Sequence, residues 1–278
     1  MDKSAIRLQG AAVGIFRDLV FFHPEAEPEE DFQTWMDNLA SVPWPHDLAP
    51  ENLKESSDEQ TYELNCNWKV FAENALDGYH LAYLHKETLG GPTHDKNIWE
   101  AFGRHMVWWS IERDGVKHRI PKFVEDATKR WPPTAVHDDT ALGYGGVYRL
   151  FPTTLLTPNP WGFSISIMEP TGPDTMLLRV RNWAPKGMMS YSYRAKDVPG
   201  FDKETGTVKS SHWKVHPLET SDFQTEDVWV CEKMQRALHS PNHRVAHLAH
   251  GSGGEAAIAF FQQCVLGYLG TDLGIAAE

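Results

Sequence analysis

The chain has 278 residues, room for one large core or two modest ones. Its 26 Lys and Arg against 38 Asp and Glu leave a net charge of −12 at pH 7, which excludes a nucleic-acid binder because no basic surface displaces counterions. Three cysteines, Cys66, Cys231 and Cys264, exclude a disulfide framework and any site with four cysteine ligands, and they fit a reducing, cytoplasmic location.

The N-terminal MDKSAIRLQG lacks an apolar run of signal-peptide length, and no stretch reaches the ~20 apolar residues of a membrane span. Residues 11–22 are apolar enough for one or two strands. Residues 29–40 form a short helix with Phe32, Trp35, Met36 and Leu39 on one face, ended by the Pro-rich SVPWPHDLAP. In TYELNCNW, Tyr62, Leu64, Cys66 and Trp68 recur at every second position, the period of a half-buried strand. From Trp68 to His85 the period becomes three and four, through Val70, Phe71, Asn74, Asp77 and Leu81, which predicts a helix stopped by Gly90-Gly91-Pro92.

The middle of the chain is strand-rich: HMVWWSIE, GGVYRLFPTTLLT, GFSISIME and TMLLRVRNW, joined by polar turns that favour antiparallel pairing. Two helices follow. One spans about Leu218 to Leu238; the other starts at Ser252, with Glu255 completing a capping box. A sheet framed by helices before and after it is an α+β layout.

The dense polar cluster runs from Glu73 to His85 and includes Asn74, Asp77, Tyr79 and His80. Imidazole suits iron, copper, nickel or zinc, yet the five-residue offset of His80 and His85 is about 140° on an ideal helix. The backbone must therefore bend for both rings to converge, and Gly78 sits where a bend is needed. Asp77, three residues before His80, is placed to accept that ring's second N–H. An isolated pair of this spacing is more often two surface or capping histidines than a metal site.

Downstream, Asp227, Cys231, Met234 and Leu238 fall on one helical stripe, so Asp227 points with the apolar residues. A buried carboxylate needs a cation, a metal or several hydrogen bonds, and backbone amides near a helix start are the ordinary answer.

Taken together, Glu73-x3-Asp77-x-Tyr79-His80-x4-His85 after a strand running into Asn67-Trp68-Lys69-Val70-Phe71, and Glu226-Asp227-x3-Cys231-Glu232-x2-Gln235 some 140 residues on, resemble the catalytic domain of Rieske non-heme iron ring-hydroxylating oxygenase α-subunits. The resemblance extends to Gly145–Pro152 and to the last helix with Glu255 and Phe260, covering roughly residues 60–265. It implies that His80, His85 and Asp227 hold one mononuclear Fe2+ as a facial triad. It also implies that Asp77 bridges an iron-ligand histidine to a Rieske histidine of a neighbouring subunit, and that Asn74 lies near the iron. The implied fold is a helix-grip, START (Bet v1-like) antiparallel sheet around a long C-terminal helix. The implied reaction is hydroxylation, by mono- or dioxygenation, of a small aromatic or related organic substrate with O2. Rieske or ferredoxin and reductase proteins are the implied electron partners, and the implied assembly is a homo-oligomer, a trimer.

The chain departs from that family in one respect. A Rieske [2Fe-2S] cluster takes its ligands from a C-x-H and a C-x2-H pair, and Cys66, followed by Asn67 and Trp68, matches neither. Residues 1–45 are thus expected to be the end of a Rieske domain and a connector, and residues 46–278 the iron domain. The cluster is expected on a partner chain or in a missing segment. The alternative is a truncated or non-catalytic helix-grip module that binds an apolar small molecule.

Two further features are weighed against plainer readings. His239, His243, His247 and His250 recur at four, four and three, but Pro241 and Gly251 to Gly254 interrupt a continuous ligand face. Trp108, Trp109, Trp161, Phe163 and Trp183 are candidates for an aromatic pocket, and core packing explains most of them. Cys231 reads as a small packed residue.

Overall fold

A computed structural model describes residues 10–42, 53–55, 59–88, 96–111, 145–159, 162–185, 195–245, 247–249 and 255–270. Strands β1 (Ala12–Phe16) and β2 (Leu19–His23) form a hairpin closed by Arg17 and Asp18, both at positive φ. Positive φ at both turn residues matches the right-handed twist of the paired strands. The hairpin is two-faced. Phe16, Leu19 and Phe21 pack inward, while Val13, Ile15, Val20 and Phe22 stand out at 62%, 65%, 68% and 76% exposure, paired across the strands as Val13 with Phe22 and Ile15 with Val20.

Helix α1 (Phe32–Met36) begins where Asp31 caps the Thr34 amide and runs on as a 3₁₀ turn over Asp37–Ser41. Phe32, Trp35, Met36 and Leu39 all join one core cluster, the face expected from their spacing.

The main sheet is ten-stranded among the described residues. Its order is β11 (Phe201–Asp202), β12 (Thr207–Lys209), β4 (Gln60–Leu64), β10 (Thr175–Pro185), β9 (Gly162–Gly172), β8 (Thr154–Asn159), β7 (Gly145–Leu150), β6 (His105–Ile111) and β5 (Lys96–Phe102), with β3 (Leu53–Glu55) also paired to β10. Every pairing is antiparallel except β12 with β4. The fold is therefore α+β with an antiparallel-rich sheet. The four expected central strands are present; β3, β5, β11 and β12 carry too few alternating residues to announce themselves.

Both faces of the sheet are covered. Along β7, Tyr148 and Leu150 join the cluster under the hairpin and α1, while Val147 and Arg149 turn to the other side. That second side packs against α2 (Trp68–Asn74), α3 (Phe223–Leu238) and α4 (Ala256–Tyr268) through Val70, Phe71, Leu76, Val228, Cys231, Ile258 and Phe261.

Three helical expectations change. The stretch from Trp68 to His85 is not one helix: α2 ends at Asn74, ahead of Gly78, and the next regular turn is a 3₁₀ segment at His80–Ala82. Hydrogen bonds tighten there to Leu76 N to Glu73 O and Asp77 N to Asn74 O, and Asp77 Oδ1 then accepts from the Tyr79 amide at 2.7 Å. Residues 218–238 also divide, with a 3₁₀ turn at Pro217–Glu219 separated from α3 by Ser221 at φ 57°. The stripe on α3 is rotated from expectation, for Met234 and Leu238 are exposed and Val228, Cys231 and Gln235 are buried. Finally, Ser252 and Gly90-Gly91-Pro92 lie outside the described residues; Glu255 precedes α4 and its carboxylate accepts from the Ala249 amide at 2.6 Å.

Candidate metal centre

The interruption after Asn74 is what brings the two histidines together. The helix α2 and a separate 3₁₀ turn replace one continuous helix, and the His80 and His85 rings lie 5.0 Å apart, edge to face. Helix α3 delivers Asp227 to the same point. Asp227 Oδ1 is 3.0 Å from His85 Nε2 and 3.6 Å from His80 Nε2. One ligand atom from each of His80, His85 and Asp227 lies within 4.8 Å of the others, and this is the single such metal-ligand group among the described residues.

The surrounding polar groups orient each member. Asn74 Nδ2 donates to Asp227 Oδ1 at 2.9 Å. Asp77 Oδ2 accepts from the His80 amide at 3.3 Å and lies 3.4 Å from His80 Nδ1, a contact not aligned as a hydrogen bond, so that buried nitrogen has no hydrogen-bond partner. On the other side stands a residue that belongs to the downstream motif but to which the sequence assigned no role. Glu226, buried at the start of α3, is 2.7 Å from His85 Nδ1 and accepts from Thr88 Oγ1 at 2.7 Å. Its signal in the sequence was adjacency: a second acid beside Asp227 in a helix whose other buried positions include Thr225, Glu232 and Gln235.

The charges reinforce one another. Burial opposes protonation of His80, but the Asp227 and Asp77 carboxylates outweigh it and raise its pKa to about 9. Burial likewise opposes protonation of His85, and Asp227 with Glu226 raises it to about 9. Burial works against an ionised Asp227, yet the two imidazoles hold it well below the ordinary carboxylate range. These shifts describe a place that seeks positive charge. Two imidazole nitrogens and one carboxylate oxygen suit a divalent transition metal such as iron; Glu226 supplies the usual outer partner to His85, and Asp77 lies 3.4 Å behind His80, so the residues fit the ion.

The other candidates fall elsewhere. Cys231, one turn beyond Asp227, is fully buried with its thiol pushed far up by desolvation, an inert packed residue. His239 contacts Asp174 Oδ1 at 3.2 Å and Gln235, while His243 and His247 join no ligand group among the described residues and His250 lies outside them. Phe163 and Trp183 stack at 4.8 Å in the cluster under the hairpin, on the far face of the sheet from the triad. Trp108 is buried on the triad side, next but one to Met106; the Trp109 side chain and Trp161 lie outside the described residues.

Comparison with known proteins places this geometry. Residues 51–271 match the family described as the ring-hydroxylating α-subunit, catalytic domain. Choline monooxygenase of Arabidopsis thaliana is 30% identical over 186 residues, covering 64% of this chain and 34% of the relative. Putrescine 2-hydroxylase of Bordetella bronchiseptica is 24% identical over 135 residues, covering 48% of this chain and 30% of the relative. The chain thus spans about a third of the length of these curated relatives. Among solved structures, a quaternary ammonium Rieske monooxygenase superposes with a TM-score of 0.61 at 16% identity, over 93% of this chain and 62% of the other. Naphthalene 1,2-dioxygenase from Rhodococcus sp. gives 0.60 at 14%, over 92% and 65%. At those identities the structures speak for the fold alone. The family match covers most of the sequence, includes every residue of the triad, and makes this chain a member of the ring-hydroxylating α-subunit family, a Rieske-type oxygenase catalytic domain.

Proposed function

We propose that His80, His85 and Asp227 hold one ferrous ion and that the chain is the iron-bearing oxygenase component of a Rieske-type system. The observation that carries this reading is the convergence of three ligand atoms within 4.8 Å, two of them from histidines backed by carboxylates. When bound, a ferrous ion held on one face by three ligands supplies dioxygen activation beside a substrate that does not itself ligate the metal.

The remaining work belongs to the chain's own residues. Glu226 fixes the tautomer of His85 by accepting a hydrogen bond from Nδ1–H, which leaves the Nε2 lone pair for the metal. Asn74 donates to Asp227 Oδ1 and so sets that carboxylate's orientation. Asp77 steadies the turn that carries His80 and, by family resemblance, forms the electron bridge to a Rieske histidine of a neighbouring subunit in a trimer. Electrons come from a [2Fe-2S] cluster outside residues 1–278, fed by ferredoxin and reductase partners. The β1–β2 hairpin is read as the end of the cluster-bearing domain, and the sheet with α4 as a helix-grip, START-like fold.

The substrate is a small organic molecule. The relatives named for choline and putrescine favour an aliphatic amine or ammonium compound over an aromatic ring, and the −12 net charge would draw a cation toward the protein.

Iron analysis of anaerobically prepared protein tests the proposal. About one iron per chain is expected, falling to background in His80→Ala and Asp227→Ala. Iron content that is the same in wild type and both variants would overturn it. Asp77→Ala is expected to keep its iron and lose turnover with a Rieske donor; turnover at the wild-type rate would remove Asp77 from the electron route.

A further inference from the structure

The side of α3 turned away from Asp227 carries a second set of chemistry-bearing residues. Trp229, Glu232, Lys233 and Arg236 stand about 140° to 240° around the helix from Asp227, taking ~100° per residue. Together with Ser210 and Trp213, from the 3₁₀ turn at Ser210–His212 and its C-cap, and with Asn65 just after β4, they line an open groove of about 360 Å³. That volume lies within the range of small-molecule sites.

The lining is fixed from several sides. Trp229 is half-buried, with the His216 ring edge to face at 5.1 Å and Lys233 Nζ 5.8 Å from its ring centre. Trp213 packs its pyrrole edge on Gly200, where a Cβ would come to 2.7 Å from Cδ1 and 2.8 Å from Nε1. Glu232 is buried on the floor, its Oε1 engaged by the Asn65 amide, Asn65 Nδ2 and Ser210 Oγ. Lys233 and Arg236 are exposed at the rim and enter no ion pair among the described residues. In a chain of net charge −12, two such cations beside two indole rings reverse the local sign.

Each feature selects part of a ligand. Indole rings take up a flat apolar body, and the Lys233 ammonium with the Arg236 fork attracts a carboxylate or phosphate while repelling an ammonium group. We propose that this groove is a second binding site, separate from the triad, for a small planar aromatic molecule with an anionic group at its outer edge. It is not the place where the substrate meets the triad, because it lies behind the helix that delivers Asp227, and its rim has the wrong sign for an amine. The inference stands independently of iron at the triad.

Matched probes test it, with binding to the full chain followed by calorimetry: naphthoate against naphthylmethanol, and AMP against adenosine. The anion of at least one pair is expected to bind wild type at least about tenfold more tightly than its neutral partner. A preference confined to naphthoate names a carboxylate as the anionic group, and one confined to AMP names a phosphate. In the double variant Lys233→Glu with Arg236→Glu the preference should vanish, and in Trp229→Ala both members of the pair should weaken by about tenfold. No preference in either pair, or one that survives the double charge reversal, overturns the proposal. Should Trp229→Ala fail to fold, the double variant decides alone, since both of its positions are exposed. Iron content is measured on the same preparations and should be the same in wild type and the double variant. Iron without anion preference sinks only this inference; anion preference without iron sinks only the oxygenase reading.

Discussion

Glu226 and Asp227 are consecutive on α3 and grip opposite nitrogens of one imidazole, Nδ1 and Nε2 of His85. Replacing Glu226 by Ala should lower ferrous or cobaltous ion affinity by about 10- to 100-fold, with Glu226→Gln recovering part of the loss, measured by chelator competition. Affinity that does not change would mean Glu226 serves packing alone. The raised pKa of both imidazoles gives a second outcome. Near pH 7 each tends to hold a proton that the metal must displace, so affinity should strengthen as pH rises from 7 toward 9, with proton release on binding. A pH-independent affinity would contradict this. Much of the residue-level picture was legible: the spacing of His80, His85 and Asp227, and the need of Asp227 for a partner, were visible in the chain. Glu226 was not, because a buried carboxylate without periodic apolar company looks like any solvated acid.

At the scale of elements, α3 is fastened to the sheet by polar latches more than by an oily stripe. Glu232 Oε1 accepts from the Asn65 amide, Asn65 Nδ2 and Ser210 Oγ at 3.0, 2.9 and 3.0 Å, and Gln235 Oε1 accepts from the Asn67 amide at 2.9 Å. Glu232→Ala strands those donors and should cost about 3 kcal/mol in urea unfolding, with the metal still bound by the folded fraction. A loss under about 0.5 kcal/mol would show that water replaces the latch. This architecture explains why helix periodicity misjudged the element: Met234 and Leu238 complete an apolar stripe in the sequence but are exposed, since the Glu232 and Gln235 hydrogen bonds together with buried Val228 and Cys231 set the helix's rotation. The same holds between Asn74 and His80, where a 3.6-residue pattern continued across a backbone that Asp77 breaks by capping a new turn. Strands with clean alternation, such as the segment of Phe163, Ile165 and Ile167, were read correctly because tertiary context had nothing to override.

For the whole molecule, stability against pH is governed by groups of opposite sign. His105 is fully buried, its Nε2 on the Trp35 carbonyl and its Nδ1 accepting from the Phe151 amide at 3.0 Å, which fixes the neutral tautomer. Burial lowers its pKa from 6.5 to about 4. Its contribution is complete above pH 6.5 and is lost as pH falls toward 4, about 3 kcal/mol in all. The metal-free triad runs the other way: with His80 and His85 raised, their contribution is complete below pH 6.5 and lost as pH rises through 9. Metal-free protein should be most stable near neutrality, and His105→Gln should flatten the acid limb of a urea-midpoint profile. An acid limb of unchanged slope would assign it to other groups.

The hairpin face of Val13, Ile15, Val20 and Phe22 has a practical corollary. Four apolar side chains in register on a two-stranded ribbon form an adhesive strip, and strips of this kind join edge to edge or take up fluorescent dyes such as ANS. The net charge of −12 keeps molecules apart at low ionic strength, but salt screens that repulsion while leaving the strip untouched. Purification in dilute buffer should therefore yield monodisperse material that clouds as sodium chloride is raised, and Val20→Lys with Phe22→Glu should abolish the clouding without disturbing the His80, His85 and Asp227 cluster on the opposite face of the sheet.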